Sequence, residues 1–193
     1  MGLKLVFATN NLNKLKEVQA LMPANIVLLS LYDIDCKEDI PETAPTIEGN
    51  AIQKATYLKT NYGYDCFADD TGLEVNALAG APGVYSARYA GEQKNADDNM
   101  DKLLVNLKNN NDRSAQFKTV IALKLSSDIH TFTGICKGTI TKEKTGDKGF
   151  GYDPIFKPEG YDETFAEMDL DLKNKIGHRG KAIQQLIDFL QKL

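Results

Sequence analysis

Two lysines, a pair of adjacent aspartates and one glycine-flanked aromatic loop carry most of the chemical potential of this chain. Lys14 falls in the first turn of a predicted helix, after the polar run Thr9-Asn10-Asn11. A helix start is electropositive, so a cation is mildly disfavoured there. The placement makes sense if an anion is shared between the ammonium and open N–H groups of the segment Thr9, Asn10, Asn11, Leu12 and Asn13. The alternative is a solvated surface lysine. The segment lacks the glycines of a Walker loop. Lys54 is more informative. With Ile47 at zero and about 100° per residue, the stripe Ile47, Ala51, Ala55, Leu58 and Tyr62 spans about 0° to 80°, and Lys54 falls at about −20°. Asn50 falls at about −60°. A lysine bordering a buried stripe must snorkel or meet a negative partner. Lys14 and Lys54 together make a two-cation clamp for a polyphosphate.

Asp69-Asp70-Thr71-Gly72 follows a predicted strand. Carboxylates at a strand end suit Mg²⁺, which takes hard oxygen ligands and needs only one or two carboxylates beside substrate phosphates. If the backbone is extended there, the adjacent side chains point to opposite faces, so one enters a cleft and the other acts behind it. Glu42 and Glu48 are further metal-ligand candidates, and a plain turn is the alternative for the motif. Gly149-Phe150-Gly151-Tyr152-Asp153-Pro154 offers aromatic stacking faces and an acid able to accept from N–H groups on the edge of a base. A glycine-rich turn with a core phenylalanine is the alternative. His178-Arg179, with Lys173 nearby in sequence, supplies donors for carbonyl or phosphate oxygens. No G-x-S-x-G surrounds Ser86 and the chain has 2 histidines, which disfavours a serine hydrolase. Ser86 and Arg88 are left for a phosphate or subunit contact, and His130 is assigned no role.

These residues must be positioned by a chain of 193 residues, long enough for one well-cored domain or two lobes sharing a core. A hydrophobic content of 42% with 26% charged residues fits a soluble globular protein. A formal charge of −4 argues against non-specific nucleic-acid binding, which relies on neutralising phosphates. Cys36, Cys66 and Cys136 are widely spaced, as expected of free thiols in a reducing cytoplasm. No run is long and apolar enough for a membrane span.

Periodicity predicts strands at Leu3–Ala8, Val27–Leu31 and Cys66–Ala68, with Leu73–Val75 a possible continuation. It predicts helices through Leu15–Leu21, Ile47–Tyr62, the stretch after Asn95, and Lys181–Leu193. Ala115–Leu125 and Ile129–Ile140 read as an antiparallel pair, while Asp33–Pro45 and Asn76–Glu92 read as loops. The class is α/β with a mixed sheet whose strand ends feed the polar motifs.

Read together, the segments resemble the Ham1-like nucleoside-triphosphate pyrophosphatases. The likeness runs in order through Ala8-Thr9-Asn10-Asn11 to Lys14 and Glu17, Glu48 to Asn50-Ala51, Lys54-Ala55, Ala68-Asp69-Asp70-Thr71-Gly72-Leu73, Gly80 to Tyr89, Gly149 to Pro154, and His178-Arg179-Gly180. The resemblance implies a single domain over residues 1–193, an elongated mixed sheet with flanking helices, two lobes around a central cleft, and a homodimer. It implies Mg²⁺-dependent hydrolysis of ITP, dITP or XTP to the monophosphate and pyrophosphate. On that likeness Thr9 to Lys14 and Lys54 grip phosphate, Asn50 belongs to the substrate site, Asp70 binds metal and is the proton acceptor, and Thr71 contacts substrate. Phe150, Gly151, Tyr152, Asp153, Lys173, His178 and Arg179 form the purine site. Asp69 acts behind Asp70 in catalysis. Three departures stand out: Gly49 where many relatives carry a glutamate, Thr71 for a common serine, and Gly177 for a common serine. A Maf-like pyrophosphatase acting on modified pyrimidine nucleotides and a non-hydrolysing nucleotide sensor are the rival readings.

Overall fold

The structure is a computed structural model and describes residues 3–193. In chain order it contains β1 (Leu3–Phe7), α1 (Leu12–Leu21), β2 (Ile26–Leu29), α2 (Ile47–Tyr62), β3 (Cys66–Val75), β4 (Pro82–Gly83), α3 (Ala96–Asn106), β5 (Ser114–Leu125), β6 (Asp128–Ile140), β7 (Phe156–Pro158), α4 (Leu170–Ile176) and α5 (His178–Leu190). Strand order is β2-β1-β3-β5-β6-β7, with β4 paired to β3. β1 runs parallel to β2 and β3, whereas β3–β4 and β6–β7 are antiparallel, so the predicted mixed α/β class holds.

The chain divides into two compact units. The first comprises residues up to Asp70, Thr119–Gly134 and Arg179–Leu193; the second comprises Thr71–Lys118 and Ile135–His178. In the first unit, Leu5 and Phe7 of β1 and Phe67 of β3 meet Val18 of α1 and Ile183 and Leu186 of α5. Phe7 and Phe67 stack at 4.7 Å, as their paired register places them side by side. The second unit is built on Leu73, Leu103, Phe117, Phe156 and Phe165, with Phe117 edge-on to Phe156 at 4.7 Å.

The helix ends follow local chemistry. Thr46 caps α2 by accepting from Gly49 N–H at 3.0 Å, and Gly63 closes it in the left-handed region at φ 76°. Asn95 caps α3 by accepting from Asp98 N–H at 3.1 Å. Asp69, Asp70, Thr71 and Gly72 do not leave the strand: β3 continues through them to Val75. Three short pieces, β4, β7 and α4, escape the periodicity reading, and α5 begins at His178 rather than Lys181.

Cys66 is fully buried on β3, its Sγ 3.3 Å from the Ala55 carbonyl, and burial pushes its thiol from 9.0 up to about 12. A raised thiol pKa stabilises the fold below the unfolded value, and that stability is lost as pH rises toward the folded value. At pH 8.5, iodoacetamide should leave Cys66 unmodified in the native protein and label it fully in urea, as read by peptide mass mapping. Equal labelling in both states would contradict the buried, protonated thiol.

Candidate active site

Within β3, alternation sends Asp69 and Asp70 to opposite faces. Asp69 is 1% exposed and meets two cations: Lys14 Nζ at 3.0 Å and Arg179 Nε at 3.1 Å. Arg179 also donates through Nη1 to Glu17, a buried acid of α1. β3, α1 and α5 are thereby tied through one buried chain of charges. Burial alone would raise the Asp69 pKa, but Lys14 and Arg179 outweigh it and hold the carboxyl below its usual range. Lys14 moves down, because desolvation outweighs the attraction of Asp69.

Asp70 is treated differently. Its Oδ2 accepts from Asn50 Nδ2 at 3.3 Å, and its Oδ1 lies 3.6 Å from Lys54 Nζ. Both contacts are longer than those of Asp69. Desolvation dominates and raises the Asp70 pKa despite the opposing pull of Lys54. Lys54 is 5% exposed and donates to Glu42 Oε1 at 2.5 Å. Burial lowers its pKa, but Asp70, Glu42 and Asp69 together more than compensate and raise it. The negative partner that the helical wheel demanded for Lys54 is thus a pair of carboxylates.

The start of α1 departs from expectation. Asn11 Oδ1 accepts from the N–H groups of Asn13 at 3.0 Å and Lys14 at 3.2 Å, and Thr9 Oγ1 accepts from Asn11 N–H at 3.1 Å. An N-cap side chain therefore takes donors that the sequence reading offered to an anion. Asn10, Leu12 and Asn13 are exposed beside it.

The second unit holds the aromatic loop. Asp153 is 2% exposed, and its Oδ2 accepts from Phe150 N–H at 2.8 Å and Lys173 Nζ at 2.6 Å. Read in the sequence as an acceptor for a base edge, this acid is an internal brace for its own loop. Gly149 sits at φ 73°, and a Cβ there would run into the Asp153 carboxylate, so the glycine is a packing requirement. Tyr152 offers no open face: it is 5% exposed and donates its hydroxyl to the Ser86 carbonyl at 2.8 Å. Phe150 is half-buried, with Lys173 Nζ 4.8 Å from its ring centre. His178 stacks on Phe117 at 4.5 Å. His178 and Arg179 are neighbours in sequence yet belong to different units, the histidine to the aromatic core and the arginine to the charged network.

The sequence candidates therefore fall into two groups. Lys14, Asn50, Lys54, Asp69, Asp70 and Glu42 converge in the first unit together with Arg179. Phe150, Asp153, Lys173 and His178 cluster in the second. Thr71 is half-buried on β3, and Gly151 sits at φ 65° in open space. Glu48 is exposed in the first turn of α2, and no group of three or more His, Cys, Asp or Glu able to hold a metal occurs among the described residues. Ser86 is buried, donating to the Gly83 carbonyl at 2.6 Å and accepting from Leu73 N–H at 2.9 Å, so it shapes the loop itself. Glu17 was legible only as part of a motif; the signal was an acid on the buried side of α1. Gly49 and Gly177 each lack room for a side chain, with a Cβ falling 2.8 Å from Ala44 Cβ and 2.5 Å from the Lys173 carbonyl respectively.

Comparison with known proteins decides the lineage. The sequence model of the Ham1 family matches residues 5–189. The chain belongs to the Ham1 family. It is 70% identical over 188 residues to the dITP/XTP pyrophosphatase of Flavobacterium johnsoniae, covering 97% of this chain and 98% of that protein. It is 62% identical to the dITP/XTP pyrophosphatase of Flavobacterium psychrophilum, covering 98% of this chain and 100% of that protein. Among solved structures, a Ham1 protein from Coxiella burnetii superposes with a TM-score of 0.91 at 38% identity, over 99% of this chain and 100% of that one. The Staphylococcus aureus Ham1 protein gives 0.89 at 39% identity, with 98% of each chain covered.

Removing one member of a buried ion pair leaves its partner uncompensated and costs about 3–5 kcal/mol. Arg179 keeps Asp69 as a second partner, so Glu17→Ala should lower the unfolding free energy in urea titration by less than this, about 2 kcal/mol, and Glu17→Gln by less again. A loss below about 1 kcal/mol for the alanine variant would contradict the buried charge chain.

Proposed function

We propose that this protein hydrolyses ITP, dITP and XTP to the monophosphate and pyrophosphate. The observation that carries the reading is the split of Asp69 and Asp70 across β3, with Lys14 and Lys54 each facing one of them. The names of relatives as much as 70% identical support it. The cluster counts three cations (Lys14, Lys54, Arg179) against four carboxylates (Glu17, Glu42, Asp69, Asp70), a formal −1. Such a site repels a triphosphate unless a cation is added.

The residues present fit a hard divalent ion. Asp70 makes only long contacts, to Asn50 at 3.3 Å and Lys54 at 3.6 Å, and its carboxylate is costly to keep ionised without further positive charge. Asp70 would hold Mg²⁺ with Glu42, while Glu48 stands exposed on α2. One or two carboxylates beside substrate oxygens is the usual Mg²⁺ arrangement. When bound, Mg²⁺ supplies charge neutralisation across the phosphates and polarises the bond to be broken. Lys54 and Lys14 exchange a carboxylate for a phosphate oxygen, stabilising the charge that builds during phosphoryl transfer. Asp69, with its pKa held down, is a poor base and serves to orient Lys14. Asp70, as the Mg²⁺ ligand, would lose basicity to the cation, so its part is to hold the ion.

The base end of the substrate meets Phe150 as stacking face, with Lys173 and His178 of the same unit as donors. A donor aimed at the purine 6-oxygen meets an amino group in adenine, and the unpaired buried donor disfavours ATP by ~10⁴ or more. We also propose a homodimer and a cytoplasmic setting. The setting is supported by three buried cysteines outside any disulfide among the described residues.

A panel of nucleoside triphosphates with released pyrophosphate as readout tests the reading. Turnover of dITP and XTP should exceed that of ATP by ~10⁴ and that of dTTP and UTP by at least ~10². It should vanish with EDTA and fall by ~10² or more in Lys54→Met. Preferred turnover of dTTP or UTP would favour the Maf-like alternative, and nucleotide binding without pyrophosphate release would favour a sensor.

A further inference from the structure

Four polar side chains of α2, Asn50, Gln53, Lys54 and Tyr57, follow the spacing i, i+3, i+4, i+7 and share one side of the helix. Each grips the segment from Glu38 to Ala44, in reverse order. Ala44 N–H donates to Asn50 Oδ1 at 2.9 Å, and Thr43 N–H donates to Gln53 Oε1 at 2.9 Å. Lys54 Nζ donates to Glu42 Oε1 at 2.5 Å, and the Tyr57 hydroxyl donates to Glu38 Oε1 at 3.2 Å. Tyr62 adds a bond to Glu38 Oε2 at 2.7 Å. Gly49 lets Ala44 lie close against the helix, since a Cβ there would come within 2.8 Å of Ala44 Cβ. Glu38, Glu42 and Thr43 are exposed, so hydrogen bonds rather than burial fix where these side chains sit.

In the middle of this row the bonding is reciprocal. Gln53 accepts the Thr43 amide proton on Oε1 and donates from Nε2 to Thr43 Oγ1, both at 2.9 Å. A side-chain amide that takes the backbone and the hydroxyl of one residue sets that residue's position along the helix, which a single bond leaves adjustable. Glu42 is the next residue. We propose that Gln53, through this two-way bond with Thr43, is a positioning residue that holds Glu42 in register with Lys54. It touches neither nucleotide nor metal and acts through the segment. The inference rests on the reading above, in which Glu42 helps to hold Mg²⁺.

Gln53→Ala removes both bonds, Thr43→Val removes the hydroxyl, and Thr43→Ser keeps both. Amide hydrogen exchange at residue resolution reads the segment directly. The Thr43 amide should exchange roughly three- to tenfold faster in Gln53→Ala than in the wild type and Thr43→Ser, while the central amides of α2 stay unchanged. In dITP turnover, Gln53→Ala should raise the half-saturating Mg²⁺ concentration roughly three- to tenfold and Thr43→Val by less, with kcat at saturating Mg²⁺ retained within about twofold. Thr43→Ser should match the wild type in both. Unchanged Thr43 exchange in Gln53→Ala would overturn the proposal, as would faster exchange with unaltered Mg²⁺ dependence. If the wild-type protein leaves dITP intact, the substrate reading fails. The exchange arm, with Mn²⁺ titration of the nucleotide-free protein followed by electron paramagnetic resonance, then decides for or against the Gln53 lock.

Discussion

The site depends on an unequal sharing of positive charge between two adjacent carboxylates. Asp69 receives Lys14 and Arg179 at close range, whereas Asp70 receives only longer contacts from Lys54 and Asn50. Strand alternation alone gives the opposite orientations. Placing α1 and α5 against one face and α2 against the other then makes one aspartate an anchor and the other a reactive group. The contrast is visible in the opposite directions of their pKa shifts.

The anchored side organises more than Asp69. Glu17 orients Arg179, Arg179 and Asp69 orient each other, and Asp69 orients Lys14. Asp69 thus opposes the loss of charge that burial presses on Lys14. The second unit repeats the logic in miniature, with Asp153 drawing together the Phe150 backbone and Lys173. In both units a buried acid arranges cations and rings that stand beside it.

Much of this was legible in the sequence, and the failures have physical causes. The period of α2 pointed to a partnered lysine, because a charge beside an apolar stripe cannot be left bare; its partners are Glu42 and Asp70. The extended-strand rule separated Asp69 from Asp70. The rule could not say which would be the anchor, since Arg179 is 110 residues away in sequence from Asp69. Asp153 and Tyr152 are buried, one bracing its own loop and the other bonding the Ser86 carbonyl, which residue type does not announce. The cap on α1 was hidden because Asn11 reads equally as ligand or as cap. β7 and α4 are too short, at 3 and 7 residues, for periodicity to register.

The division of labour on β3 is tested most directly by thermal unfolding of Asp69→Asn and Asp70→Asn measured side by side at neutral pH. Removing the Asp69 charge strands Lys14 in a buried setting and leaves Arg179 to Glu17 alone, so the midpoint should fall by about 10 °C. Removing the Asp70 charge relieves a desolvated carboxylate, so its midpoint should stay level or rise. Equal losses in the two variants would contradict the account.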